Sequence, residues 1–358
     1  MVFCLAGVAF VRCLGIRATH RIGLAAIAMT VLAACSLVGC ASKVAVVELT
    51  GETMGTTWSV KLVDTSRQSL DTIRHDIQVQ LDRVVDQMST WAPESNISRY
   101  NAADADTWHT LPDEFDQVLS YALSLARDTG GAYDPTVGPL VNLWGFGPDG
   151  ERSEPPSEAR IRDVRDLVGW QRVRIDASDR RVHQPGGVYL DLSSVAKGYA
   201  VDRVAAALDA AQIGDYLVEI GGELRARGHK PDGDPWRVAI ETPSANSRDV
   251  SEVLELDNLS VATSGDYRIN FESHGRRYSH TIDPRTGYPV DHALVSVTVV
   301  HRDCMHADAL ATALTVLGPV DGLAFAEEHG LAVLFIERRG DKFVEHVTPA
   351  FDAAVVHR

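Results

Sequence analysis

The body of this 358-residue chain has almost no cysteine. Of five cysteines, Cys4, Cys13, Cys35 and Cys40 fall in the first forty residues and only Cys304 lies beyond them. That distribution excludes a disulfide framework or a CxxC zinc cluster in the body. Basic residues are also scarce: 34 lysines and arginines against 49 aspartates and glutamates give a net charge of −15, the wrong sign for a nucleic-acid binder. The familiar catalytic signatures are missing as well, with no GxSxG, no HExxH, no GxxxxGKS/T and no GxGxxG leading from strand to helix. No internal repeat, low-complexity tract or linker divides the chain, although its length allows one large domain or two smaller ones.

Acidic residues are absent from Met1 to Gly39, where Arg12, Arg17 and Arg21 are the only formal charges. An apolar run follows from Ile22 to Val38. Basic flank, apolar stretch and small residues at the end are the pattern of a secretory signal peptide. The run is marginal for a bilayer span, which takes about 20 apolar residues. Leu37-Val38-Gly39-Cys40 resembles a bacterial lipobox, in which the cysteine becomes the first mature residue and carries the lipid. An uncleaved signal anchor is the alternative, and the apolar Val2–Val11 ahead of the arginines leaves room for a later start. Removing residues 1–39 takes away three arginines and no acid, so the net charge moves from −15 to −18. Any phosphate-bearing ligand then needs local compensation. The expected organisation is a signal peptide at 1–39, a tether at 40–50 and one domain at 51–350. The expected location is the bacterial cell membrane, facing the periplasm. The inner membrane is preferred, although Ala41 stands where some lipoproteins carry an aspartate that retains them there.

Apolar residues spaced three and four apart predict helices over Ser69–Met88 and Asp113–Thr129, the second stopped by Gly130-Gly131. Ser193 or Ser194 is expected to cap a third helix to about Ala211, and a fourth is expected from His306 to Leu317, ending at Gly318-Pro319. Strand-like runs are Val188–Leu192, Tyr216–Ile220, Arg237–Glu241, Val253–Leu256, Leu294–Val300 and Ala332–Ile336. Arg268–Ser273 and Arg276–Thr281 flank a hairpin turn at His274-Gly275, and Gly145–Pro156 reads as a surface loop. The irregular alternation predicts an α+β domain on a mostly antiparallel sheet with flanking helices.

Polar, turn-rich motifs sit at the edges of these elements. Asp308 and Thr312 are four apart on a helix and share a face, where a carboxylate and a hydroxyl suit a hard cation. Taken alone, they equally suit a dipole-favoured acid and a back-bonded hydroxyl. Asp191 precedes a strand-to-helix turn whose free N–H groups suit phosphate, with Lys197 one turn in. A simple capping turn with a solvated lysine fits the same residues. His280, between Ser279 and Thr281, is either structural or a proton-transfer group. Trp58, Trp91 and Tyr133 are able to line a pocket for a planar ring, or to sit in the core.

Together, in this order, the motifs resemble the ApbE family of FAD:protein FMN transferases. The stretches that carry the resemblance are Asp134–Gly147, Asp191–Gly198, Ser279–Pro289 and Ala307–Thr312. The resemblance implies an enzyme that splits FAD with Mg²⁺, joins FMN to a threonine of a partner protein and releases AMP. Such partners are redox-pump subunits with an exposed threonine motif. It further implies FAD contacts from Met54, Trp91, Ala132, Tyr133, Asp134, Asp191, Lys197 and Ile282. Mg²⁺ would be held by Asp308, Thr312 and an oxygen of Ser194, side chain or backbone. The base is His280 or Asp308, with His280 favoured and Asp283 able to orient either. Ala311 stands where certain members carry an aspartate and Lys197 where they carry a glutamate, differences that bear on metal affinity and stoichiometry. The alternatives are a Mg²⁺-dependent FAD pyrophosphatase and a non-catalytic FAD-binding lipoprotein.

Overall fold

The structure, a computed structural model, describes residues 45–354 apart from Asp64, Ser66, residues 242–249 and 266–268, and Asp341. The expected signal peptide and Cys40, like Arg268 at the start of the expected hairpin, lie outside the described residues. Eight strands form the central sheet: β1 (Val47–Thr53), β2 (Thr56–Leu62), β3 (Tyr216–Ile220), β4 (Glu223–Arg227), β5 (Leu259–Gly265), β6 (Leu294–His301), β7 (Ala332–Arg339) and β8 (Lys342–Val347). Their spatial order is their chain order, and every neighbouring pair is antiparallel. The mixed, mainly antiparallel class expected from the sequence is the class observed. β1 begins at Val47, inside the stretch read as tether.

Two tight turns align one end of this sheet. Met54-Gly55 (φ 49° and 71°) joins β1 to β2, and Gly221-Gly222 (φ 60° and 106°) joins β3 to β4. Left-handed pairs match the twist of two-residue hairpins. Trp58 pairs with Ile220, and Leu224 with Val261, so the start of β2, the start of β4 and the end of β5 share that end.

Both faces of the sheet are covered. Helices α1 (Leu70–Met88), α2 (Asp113–Asp128), α3 (Ala196–Ala210) and α4 (Cys304–Glu328) contribute to the main core with Val297, Val299, Val333 and Phe335. On the other side Val300, Leu334 and Ile336 pack with the hairpin Trp236–Glu241/Val250–Leu256 and with Phe351 of the helix Pro349–Ala354. Burial on both faces explains why Leu294–Val300 reads as an unbroken apolar run. Ser69 caps α1 by accepting from the Thr72 N–H, and the Gly131 N–H closes α2 on the Ala126 carbonyl at 2.8 Å. α4 is long and apolar enough to cross a membrane by composition alone, but it packs against β5 and β6 as a core helix. It starts two residues before the expected His306. Gly318 (φ 79°, ψ −175°) breaks it, and a further helical stretch follows Pro319, so the expected stop is a kink.

Two local expectations are corrected. Val188–Leu192 is not a strand, because side chains take the backbone groups of Val188 and Leu190. Gln184 bonds both the N–H and the carbonyl of Val188, and Asn101 does the same for Leu190. Val188, Leu190 and Leu192 are buried, which produced the strand-like pattern without a partner strand. Neither serine caps α3: the helix starts at Ala196, its flanking residue is Val195, and no side-chain cap bond is made. The Ser194 hydroxyl instead donates to the Tyr133 phenol oxygen at 3.0 Å, and the Ser193 N–H goes to Asp191.

The hairpin forms as expected, over Asn270–Ser273 and Arg276–Ser279. Phe271 and Tyr278 from it pack with Trp144, Phe146 and Ile282 in a separate small core. Residues 145–157 form the irregular surface segment beside it.

Candidate active site

At the aligned end of the sheet lies a cleft of about 810 Å³. Its lining gathers Ala132, Tyr133, Asp134, Asp191, Ser194, Lys197, His280, Ile282, Asp308 and Thr312, residues separated by up to 180 positions in sequence. Met54 and Trp91 are not part of the lining. Met54 is half-buried against the main core, and Trp91 is 67% exposed. Trp58 is core rather than ligand wall: its indole lies where a Cβ on Gly51 would fall, 2.5 Å from Nε1.

The placement of Asp308 follows from how α3 and α4 meet. Asp303 precedes α4 but makes no side-chain cap bond. The N–H groups of Cys304 and Met305 donate instead to the Asp202 carboxylate of α3, at 3.1 and 2.9 Å. Arg225 of β4 bonds the same carboxylate at 2.6 Å. A carboxylate from another helix thus satisfies the free donors and the dipole of α4. One turn away the helices touch at Gly198. A Cβ there would lie 2.4 Å from the Cys304 carbonyl oxygen and 2.7 Å from the Asp308 Cβ. Only glycine permits that approach, and it lets the Gly198 N–H donate to Asp308 Oδ2 at 2.9 Å.

Sequence reasoning missed the residue that completes this wall. Lys197 Nζ donates to Glu223 Oε1 at 2.6 Å, and Glu223 is only 3% exposed. Its Oε2 is buried with no hydrogen-bond partner. Burial pushes Asp308 up to about 6, against the opposing pull of Lys197 and the Gly198 N–H. Burial, and then the charge of Asp308, pushes Glu223 up to about 8. Burial alone would lower Lys197, but the Glu223 and Asp308 carboxylates outweigh it and hold the ammonium above its ordinary range. Glu223 is therefore the direct partner of the ammonium at position 197. Two buried carboxylates beside one ammonium resist ionising together, so without a cation Glu223 keeps its proton near neutral pH, and the nearby donors are oxygens. That donor set, with the orphaned Glu223 oxygen, fits a hard divalent cation.

The rest of the lining is differently made. Tyr133 is buried, which pushes its phenol far above the ordinary range, so it acts as a neutral acceptor for Ser194. Asp134 lines the cleft, but its carboxylate is engaged by the Thr136 N–H and hydroxyl and by the Trp170 N–H, closing that corner. His280 follows the hairpin; its Nδ1 lies 3.0 Å from the Ile269 carbonyl oxygen, and its ring meets Phe146 edge-on at 6.3 Å. Asp283, expected to orient His280 or Asp308, is instead forked by Arg285 at 2.9 and 3.0 Å. A bidentate arginine two residues away occupies both of its oxygens.

The arrangement offers cation-binding oxygens, a lysine for a phosphate and an imidazole in one cleft large enough for a dinucleotide. A family model described as the ApbE family matches residues 54–335. An "FAD:protein FMN transferase" of Vibrio cholerae serotype O1 is 42% identical over 316 residues, covering 88% of this chain and 94% of its own. One from Haemophilus influenzae is 40% identical over 336 residues, covering 92% and 96%. Among solved structures, the apo form of Pseudomonas stutzeri flavinyl transferase ApbE superposes with a TM-score of 0.81 at 43% identity, over 87% of this chain and 97% of that one.

Proposed function

Because the chain belongs to the ApbE family, we propose that it is an FAD:protein FMN transferase. In this reading a threonine hydroxyl of an acceptor protein attacks the FMN phosphorus of FAD. The pyrophosphate bond breaks, AMP leaves, and the hydroxyl proton passes to a base on the enzyme. The observation that carries the reading is the meeting of Asp308, Thr312, Ser194 and Lys197 in one cleft, beside two buried carboxylates whose joint ionisation is opposed by burial.

Asp308, Thr312 and an oxygen of Ser194 would hold Mg²⁺, which when bound neutralises phosphoryl oxygens and acts as a Lewis acid. Lys197 donates toward the phosphates while Glu223 keeps its ammonium in place. Gly198 and Asp202 fix the carboxylate of Asp308 through the α3–α4 contact. Tyr133 orients Ser194. His280 takes the threonine proton, because an aspartate that ligates a cation is a weak base; Asp308 is the alternative base.

The acceptor is read as a redox-pump subunit with an exposed threonine motif. The chain itself is read as an exported lipoprotein, cleaved before Cys40 and anchored through it. The charge pattern of residues 1–39 and the Leu37–Cys40 motif support that reading. In cells given a radiolabelled fatty acid, the wild-type chain should take up label and C40A should not.

The transferase reading is tested by incubating the chain with FAD, Mg²⁺ and a threonine acceptor peptide. Covalent flavin on the threonine with matching AMP is expected. AMP without labelled peptide would instead mark a pyrophosphatase, and intact FAD a passive binder.

A further inference from the structure

A second group of ligating side chains lies outside the cleft, where β6 runs into α4. His301 ends β6, Asp303 immediately precedes α4, and His306 is in its first turn. One ligating atom from each lies within 4.8 Å of the other two. Asp303 Oδ2 and His306 Nδ1 are 4.0 Å apart, and the two imidazole rings are 4.8 Å apart. Neither ring is loosely held. His306 stacks on Tyr121 at 4.2 Å, and His301 Nδ1 lies 2.9 Å from the N–H and 3.1 Å from the carbonyl oxygen of Asp303. Nδ1 serves only one of these two contacts at a time: when it donates to the carbonyl, Nε2 offers its lone pair to an ion, and when it accepts from the N–H, Nε2 keeps the proton, so ion binding goes with the first arrangement.

All three residues are half-buried, and Asp303 and His306 open onto a second cavity of about 400 Å³. Water or a small ligand therefore has room to complete a coordination sphere. Arg225 reaches Asp303 at 3.8 Å, but its closer bond, 2.6 Å, goes to Asp202. The Asp303 carboxylate is thus only weakly engaged by that guanidinium.

We propose that His301, Asp303 and His306 bind a divalent transition ion of the zinc kind. Two imidazoles and a carboxylate are a donor set that such ions take, whereas the all-oxygen set at Asp308 and Thr312 suits Mg²⁺. An ion here ties the end of β6 to the first turn of the helix that carries Asp308 and Thr312. The site stands independently of the transferase reading.

The test is a zinc titration of the full-length chain, stripped of metal and held in excess Mg²⁺. Binding is followed by a chromophoric competing chelator, and stability by thermal unfolding. One tight equivalent and a higher melting temperature are expected. H306A, and separately H301Q, should lose that equivalent or weaken it by more than about tenfold, while D308N keeps it. Metal-free melting reports any folding defect, and D303N gives a third route should a histidine variant fold poorly. The absence of a saturable equivalent, or binding that survives both histidine changes, overturns the site. Loss in D308N alone assigns the ion to the cleft instead.

Discussion

Asp308 enters the cleft from the second turn of a buried helix whose end is capped by Asp202, whereas His280 enters it from the end of a two-stranded hairpin outside the main sheet. On the first wall, Glu223 and Asp308 are buried carboxylates held in a fixed frame beside the half-buried Lys197. Elsewhere in the lining, Tyr133, Phe146 and Ile282 contribute apolar surface, and Asp134 is engaged by Thr136 and the Trp170 N–H, while Asp283, outside the lining, is forked by Arg285. The difference assigns labour. Ionising two buried carboxylates beside one ammonium is costly, and a bound cation would lower that cost. The hairpin wall bears no such cost and is free to shape itself around a flat ligand and an incoming hydroxyl.

Breaking the frame of the first wall should cost most. G198A places a methyl against the Cys304 carbonyl and the Asp308 Cβ. We expect about 1–3 kcal/mol of overpacking strain, read by thermal unfolding, and transfer slowed by about 100-fold or more through displacement of Asp308. Wild-type activity in G198A would show that the α3–α4 contact does not position the carboxylate. On the hairpin wall, H280Q should slow transfer by about 100-fold while leaving FAD affinity, read by flavin fluorescence, nearly unchanged. A fall in affinity without a fall in rate would give this wall the ligand and leave proton transfer to Asp308.

The ion pair at the seam should show a smaller effect. K197M and E223Q should each weaken FAD binding by about tenfold, and the double variant should be little worse than the poorer single one, since the residues act as a unit. Additive losses would separate them. W91A should matter least, within about threefold in FAD affinity, because this exposed indole lies away from the lining. A larger loss would mean that Trp91 moves onto the bound flavin.

The same contrast explains what was legible in the sequence. α1 and α2 were, because Ile73, Ile77, Leu81 and Phe115, Val118, Leu119 repeat at helical spacing. β1 was not: Val47–Thr53 is a polar hairpin arm that buries only Leu49 and Thr53. Asp308, Thr312, Lys197 and Ser194 stood out through their motifs, since local spacing put them on helix faces or turns. Glu223 did not, because Glu-Leu-Arg-Ala-Arg reads as the start of an ordinary amphipathic strand. It becomes buried only where the Gly221-Gly222 turn sets β4 beside Lys197, a long-range contact with no local signature. Asp283 misled for the converse reason: it is near His280 in sequence, but Arg285 is nearer in space.

The assignment of chemistry to the buried wall is tested most directly by a single turnover of D308N at saturating FAD and Mg²⁺. Flavin binding and AMP release are followed in the same sample. FAD bound at near wild-type affinity, with AMP release slowed by about 1,000-fold or more, is expected. AMP released at the wild-type rate, with the acceptor peptide flavinylated, would contradict it.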